Sequence, residues 1–303
     1  MEMNNYLSEF IMFYCKDSKE TASNYRRVSK EFCEYTMEQR GWSMDELVAN
    51  TNKRDILMYI QALESRGLSP HSINFYISAV STFFKYLVEF DYRDKTNPCD
   101  TVQRISTQGV EQKQEYLTED EYTNLLQAIK VRTAKARKFE FTSARDTLLV
   151  TLNLTVGLRC SEALSLTVEQ FNSDVISIIG KGGKLRKFKV TDEIRNAFNE
   201  YMKVRNTVFT KGQEDEGYVF VSTTGKQLTN KDVNKNLKKY AERANIDKDL
   251  SSHCLRRSCI THYLAIGIPV AQVSKLAGHS NSATTMRYFR AEASDFDFPE
   301  LGL

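Results

Sequence analysis

The stretch "TVGLRCSEALSL", residues 155–166, places a glycine, an arginine and a glutamate at one corner of the chain. Gly157 breaks the helix before it, and Arg159 falls near the start of the next. A helix start favours an anion. Glu162 lies three residues on, on the same helical face as Arg159, so it can hold the guanidinium in place. Taken alone, such a pattern is more often a structural ion pair.

Three other segments carry basic residues or histidine in comparable settings. "DVISIIGKGGKLRKFKVT", residues 174–191, reads as two short strands around a glycine-rich turn that presents Lys181 and Lys184. A phosphate-binding P-loop is excluded: the GxxxxGK[ST] spacing is missing and a strand follows where a helix is required. "SSHCLRRSCITHYLA", residues 251–265, puts His253 and Arg256 about 60° apart on a helix, on a shared face. Zinc is not expected there. Cys254 and Cys259 point about 140° apart, and His253 and His262 about 180° apart, so the four cannot converge on one tetrahedral ion. His262 reads as a structural or packing histidine. In "LAGHSNSATTMRYFR", residues 276–290, His279 ends a glycine-containing turn, and several capping residues then open a helix that carries Tyr288.

The chain has 303 residues, enough for two domains. Its net charge of +3 does not describe a basic tail, so local charge must decide any affinity for nucleic acid. The six cysteines, Cys15, Cys33, Cys99, Cys160, Cys254 and Cys259, form no CxxC pair and read as reduced thiols of a cytoplasmic protein. "MEMNNYLSEF" lacks the features of a signal peptide, and no apolar run is long enough to predict a membrane span.

Residues 1–105 read as a helical domain. One helix opens at a cap on Ser18 and stops at Gly41; another has Ser69 as N-cap, Pro70 at its first position, and an apolar stripe of Ile73, Ile77, Val80, Phe84 and Leu87. Residues 106–115, in a polar stretch with Gly109, read as a linker. A capping box, Thr118 to Glu121, starts a second domain over 116–303. Thr229 caps a helix with Val233, Leu237, Tyr240 and Ala244 on its apolar side and Lys231, Lys235, Lys238 and Lys239 away from it. Those lysines fit a solvated face or a phosphate-contacting one.

Each signal is weak singly. In this order they resemble the tyrosine recombinases, or phage integrases. "TVGLRCSEALSL" resembles the first-arginine motif, "IIGKGGKLRK" the lysine hairpin, "HCLRRS" the His-x-x-Arg motif, and "LAGHS" with a tyrosine nine residues after the histidine the terminal motif. "ASNYRRVSKEFCEYTMEQRG" and "LSPHSINFYISAVSTFFKYL" are similar to the family's core-binding domain, and the layout is closest to compact Xer-like members. The resemblance implies a mainly α fold with a small β-hairpin: a helical, SAM-like DNA-binding domain, then an α+β catalytic domain.

It also implies a site-specific recombinase. Tyr288 attacks a DNA phosphodiester, leaving a 3′-phosphotyrosyl link and a free 5′-hydroxyl; full deprotonation of a phenol at pH 7 costs roughly 4 kcal/mol, so a base is needed. Arg159, Arg256 and His279 stabilise the charge on phosphorus, His253 takes the tyrosine proton, Lys181 protonates the departing oxygen, and Glu162 orients Arg159 or the histidines. Lys184, Lys231, Lys235, Lys238, Lys239, Arg26 and Arg27 are candidate DNA contacts. The covalent link conserves the ester bond, so neither metal nor nucleotide cofactor is expected. The implied partners are a duplex recombination site, three further copies of the chain, and an accessory factor or partner recombinase. The tail bearing Phe296, Phe298 and Leu301 reads as docking on a neighbouring copy. A type IB topoisomerase-like enzyme and a non-catalytic DNA-binding regulator are the alternatives.

Overall fold

The computed structural model describes residues 2–14, 19–107, 115–132, 138–180, 183, 185–278 and 284–286. Ser18, Cys15, Gly109, Lys181, Lys184, His279, Tyr288 and the tail residues Phe296, Phe298 and Leu301 lie outside them. Two compact units divide the chain, Met1–Gln112 and Lys113–Leu303. No helix among the described residues is long and apolar enough to cross a membrane.

The first unit holds α1 (Met3–Tyr14), α2 (Lys19–Arg40), α3 (Met44–Asn50), α4 (Lys53–Ser65) and α5 (Pro70–Glu89). Its helix starts are written in side chains. Ser43 and Glu46 cap α3 reciprocally, Asn52 and Asp55 do the same for α4, and Ser69 Oγ accepts from the Ser72 N–H at 3.3 Å with Pro70 at the first position of α5. The α5 stripe of Ile73, Ile77, Val80, Phe84 and Leu87 is buried, as its spacing requires. Fully burying such a side chain contributes roughly 1.5–3 kcal/mol, so this stripe against α2, α4 and α1 holds the unit together. Arg93 is also buried. It donates to the Val48 carbonyl at 2.5 Å and the Thr51 carbonyl at 2.7 Å, supplying partners at the C-terminal end of α3.

The second unit comprises α6 (Glu119–Ile129), α7 (Phe139–Val156), α8 (Cys160–Leu164), β1 (Val175–Ile179), β2 (Leu185–Lys189), α9 (Asp192–Arg205), α10 (Asn230–Arg243), α11 (Ser252–Ala265) and α12 (Val270–Ala277). The capping boxes of Thr118 with Glu121 and of Thr229 with Asp232 start α6 and α10. The strands pair antiparallel, with Ile176 opposite Phe188, Ile178 opposite Arg186 and Ile179 opposite Leu185. In α10, Val233, Leu237 and Tyr240 are buried and Ala244 half-buried, while the four lysines are exposed.

Helix α7 lies at the centre, packed by α6, α9 and α11. Most of it is buried, including Arg145 and Asp146, while Glu140 is exposed and Ser143, Thr147 and Leu154 are partly exposed along one side. Two charges survive there because each is fully engaged. Arg145 donates to both Asp146 oxygens at 2.8 and 3.1 Å and to the Val221 carbonyl at 3.0 Å; Asp146 also accepts from the Tyr240 hydroxyl at 2.7 Å.

Helix α7 stops at Gly157, whose φ of 64° lies in the left-handed region, and whose position for a Cβ is 3.2 Å from Cys259 Sγ on α11. The glycine therefore meets two demands, the backbone turn and the close approach of α11. We predict that Gly157→Ala lowers the unfolding free energy by about 1–2 kcal/mol in urea denaturation. An unchanged midpoint would show that this corner is not constrained as described.

Candidate active site

The corner after Gly157 carries the first arginine. Arg159 is the N-cap of α8, and its own N–H donates to Glu162 Oε2 at 2.8 Å. Its guanidinium turns the same way: Nη1 donates to Glu162 Oε1 at 2.8 Å. The spacing of three read from the sequence is thus a real ion pair, with Glu162 nearly buried and Arg159 about a third exposed at 32%. A third donor reaches the same carboxylate. Arg186 Nη2, from β2, lies 2.5 Å from Glu162 Oε2. Burial alone would raise the Glu162 pKa, but the Arg159 N–H, the Arg186 charge and the Arg159 guanidinium together outweigh it and hold Glu162 below its usual value.

The arginines converge a second time, on the end of α12. The last carbonyls of a helix have no partners within it, and the negative end of the helix dipole attracts cations. Arg186 Nη1 donates to the Leu276 carbonyl, Arg256 Nη2 to the Ala277 carbonyl at 2.5 Å, and Arg159 Nη2 to the Gly278 carbonyl at 3.1 Å. Three successive carbonyls thus take one arginine each, from β2, from α11 and from the α7–α8 corner. Arg256 is buried and also donates to the Gly157 carbonyl at 2.5 Å, tying that corner to α12. Gly278 ends α12 with φ of 65°, and a Cβ there would stand 3.3 Å from Arg186 Cδ.

Beside this junction opens a cavity of ≈ 730 Å³ lined by Arg159, Glu162, Gly180, Arg186, Lys187 and Lys275, among others. Its charge is predominantly positive, which suits an anion.

His253 sits in the first turn of α11, after the Ser251 cap. It and Arg256 were expected on one face; the structure gives them different surroundings, His253 exposed and Arg256 buried. The reason is position along the helix, since His253 lies at the start of α11 and Arg256 one turn further in. Crowding by protein around the imidazole, then the charges of Arg257, Arg256 and Arg159, lower the His253 pKa from its ordinary value. His262 is half-exposed with its Nδ1 3.9 Å from a Glu119 oxygen, so it lies at the surface rather than in the packing.

Of the residues named from sequence, the structure brings together Arg159, Glu162 and Arg256. Lys181, Lys184, His279 and Tyr288 lie outside the described residues, although Gly278, the residue before His279, belongs to the junction. Sequence reading missed Arg186. A signal was available: Arg186 and Phe188 alternate onto one face of β2, and Phe188 is buried, so an arginine there has to find a buried partner. Among the exposed candidates, Lys238 pairs with Asp249 at 2.8 Å, and Arg27 donates to the Tyr76 hydroxyl at 3.0 Å. Arg26, Lys231, Lys235 and Lys239 are exposed.

A two-unit, mainly helical chain with a two-stranded hairpin and arginines gathered at a helix end has the architecture of the integrases. Residues 115–295 match the model of the phage integrase family, and residues 5–89 that of the phage integrase N-terminal SAM-like domain. The chain belongs to the phage integrase family. It is 27% identical over 274 residues to tyrosine recombinase XerD of Oceanobacillus iheyensis, covering 89% of this chain and 87% of that one. It is 28% identical over 300 residues to a tyrosine recombinase of Thermosipho africanus, covering 96% and 95%. The fold is shared with a lambda integrase dimer bound to a COC′ core site, at a TM-score of 0.73 and 15% identity over 99% of this chain and 100% of that one.

The lowered pKa of His253 can be measured directly. In the DNA-free protein, NMR titration with His253→Gln as the assignment control should give a midpoint below 6.5. A midpoint at or above that value would contradict the crowding. The sign follows: the folded chain prefers the neutral ring, so this residue's share of stability falls as the pH drops through the unfolded value, near 6.5, towards the lower folded one.

Proposed function

We propose that this chain is a site-specific DNA recombinase that cleaves and rejoins duplex DNA through a 3′-phosphotyrosyl intermediate on Tyr288. The observation that carries the reading is the meeting of Arg159 and Arg256 on the Gly278 and Ala277 carbonyls, immediately before His279 in the chain. Arg159 remains about a third exposed, and a guanidinium has five N–H groups, so its framework contacts are compatible with further hydrogen bonds to a phosphate.

The chemistry then follows from the residue types. The Tyr288 oxygen attacks phosphorus while His253, whose pKa its surroundings lower, accepts the phenolic proton. Negative charge builds on the nonbridging oxygens, where Arg159, Arg256 and His279 stabilise it. As the bond from phosphorus to the 5′-oxygen breaks, Lys181 delivers a proton to that oxygen. Reversal with a different 5′-hydroxyl rejoins the strand to a new partner. Glu162 holds Arg159 rather than touching DNA. The exposed lysines of α10, with Lys184, Arg26 and Arg27, contact the phosphate backbone, and four copies assemble two sites, with the tail docking on a neighbour.

The test is covalent capture on duplexes that carry a nick and so trap the intermediate. Wild type should yield a protein–DNA adduct that Tyr288→Phe abolishes; recombinant joints identify a recombinase, relaxation alone a topoisomerase-like enzyme, and binding without adduct a regulator. Arg159→Ala should slow adduct formation about 10²–10³-fold while retaining DNA binding. Cleavage at the wild-type rate would remove Arg159 from the reaction. Binding should weaken steeply with added salt as phosphate contacts release counterions, and a flat response would contradict a DNA clamp.

A further inference from the structure

Among the described residues the hairpin on either side of Lys181 has two strands, and an isolated pair of strands is marginal in water. Its position must therefore be set by what its inner face touches. Ile176, Ile178 and Phe188 are buried in the core of the second unit. Towards the turn the packing stops: Ile179 and Leu185, which face each other in register, are 73% and 61% exposed. The last anchored rung before the turn is Ile178 opposite Arg186. Arg186 makes that anchor with a side chain only 12% exposed, bonded at one nitrogen to Glu162 and at the other to the Leu276 carbonyl.

We propose that Arg186 is a positioning residue for the strand-transfer reaction: it fixes the turn end of the hairpin to the Arg159–Glu162 pair and to α12, and so sets where Lys181 is delivered. The inference rests on the recombinase reading above. Lys181 lies between Ile179 and Leu185 in the chain, so the rung that Arg186 pins is the nearest fixed point to it. With its guanidinium committed to Glu162 and the Leu276 carbonyl, Arg186 acts through the lysine. In the step affected, the bond from the Tyr288 oxygen to phosphorus forms, the bond from phosphorus to the 5′-oxygen breaks, and the Lys181 ammonium gives a proton to the departing oxygen. A lysine at position 186 keeps the charge but has one nitrogen, and cannot span a carboxylate on α8 and a carbonyl on α12 as a fork does.

The experiment compares two leaving groups. A duplex captured covalently on the wild-type chain from a randomised pool is remade with the 5′-oxygen at the cleaved position replaced by sulfur. A thiolate, with a parent pKa of about 8.5, departs without a proton donor. Arg186→Gln and Arg186→Lys should cleave the ordinary duplex about 10²-fold more slowly than wild type, the scale of a lost general acid. On the sulfur duplex both should return to within a few-fold of the wild-type rate, as should Lys181→Ala. Wild-type rates on the ordinary duplex, or an equal loss on both duplexes, would overturn the assignment; the second would mark Arg186 as a support of the site as a whole. Arg186→Lys, which keeps the charge, supplies the readout if Arg186→Gln does not fold. Wild type giving no Tyr288-dependent adduct from the pool would instead defeat the recombinase reading itself.

Discussion

The Glu162 carboxylate accepts from the Arg159 N–H, the Arg159 guanidinium and the Arg186 guanidinium, and it does so buried. Removing a carboxylate from water is costly, and only several well-placed donors offset that cost. The two arginines are in turn unable to rest on Glu162 alone, since one carboxylate cannot neutralise two cations. Each also donates to a carbonyl, Arg186 to Leu276 and Arg159 to Gly278, with Arg256 on Ala277 between them. The negative end of the α12 dipole supplies part of the missing negative charge. An excess of positive charge remains around the adjoining cavity, and an anionic phosphodiester is a natural counterpart to it.

Each participant arrives by a local rule. Gly157 ends α7 in a left-handed turn and lets Cys259 of α11 approach closely, so Arg159 and Arg256 come from two elements packed against each other. Alternation along β2 turns Arg186 inward beside Phe188. Gly278 ends α12 and lets the Arg186 and Arg159 side chains lie against its backbone. At the centre of the unit, largely buried α7 carries an Arg145–Asp146 pair whose charged groups are hydrogen-bonded to each other rather than left stray.

Much of this was legible in the sequence because side chains announce it. Ser69 with Pro70, Thr118 with Glu121 and Thr229 mark helix starts through hydrogen-bonding groups of their own, and all three were read correctly. The hairpin showed in its glycines and flanking β-branched residues, and the Arg159–Glu162 pair in its spacing. The convergence on α12 was not legible, because its acceptors are backbone carbonyls, and any residue has one. Arg186 went unnamed, although its alternation with Phe188 along β2 was a signal for an inward-facing arginine. The unequal exposure of His253 and Arg256 also escaped, since helical periodicity gives direction around an axis and not depth along it.

The account stands or falls on Glu162 as a buried, ionised hub. Its pKa is held down in the folded chain, so its contribution is present above the unfolded value, near 4.5, and is lost as pH falls through the lower folded value. The direct measurement is the unfolding free energy of wild type and Glu162→Gln from pH 7 to pH 3. The variant should be less stable by about 3 kcal/mol at pH 7, the scale of breaking a buried ion pair, and the gap should narrow as the wild-type carboxylate is protonated. A gap that is absent, or that stays constant across that range, would contradict it.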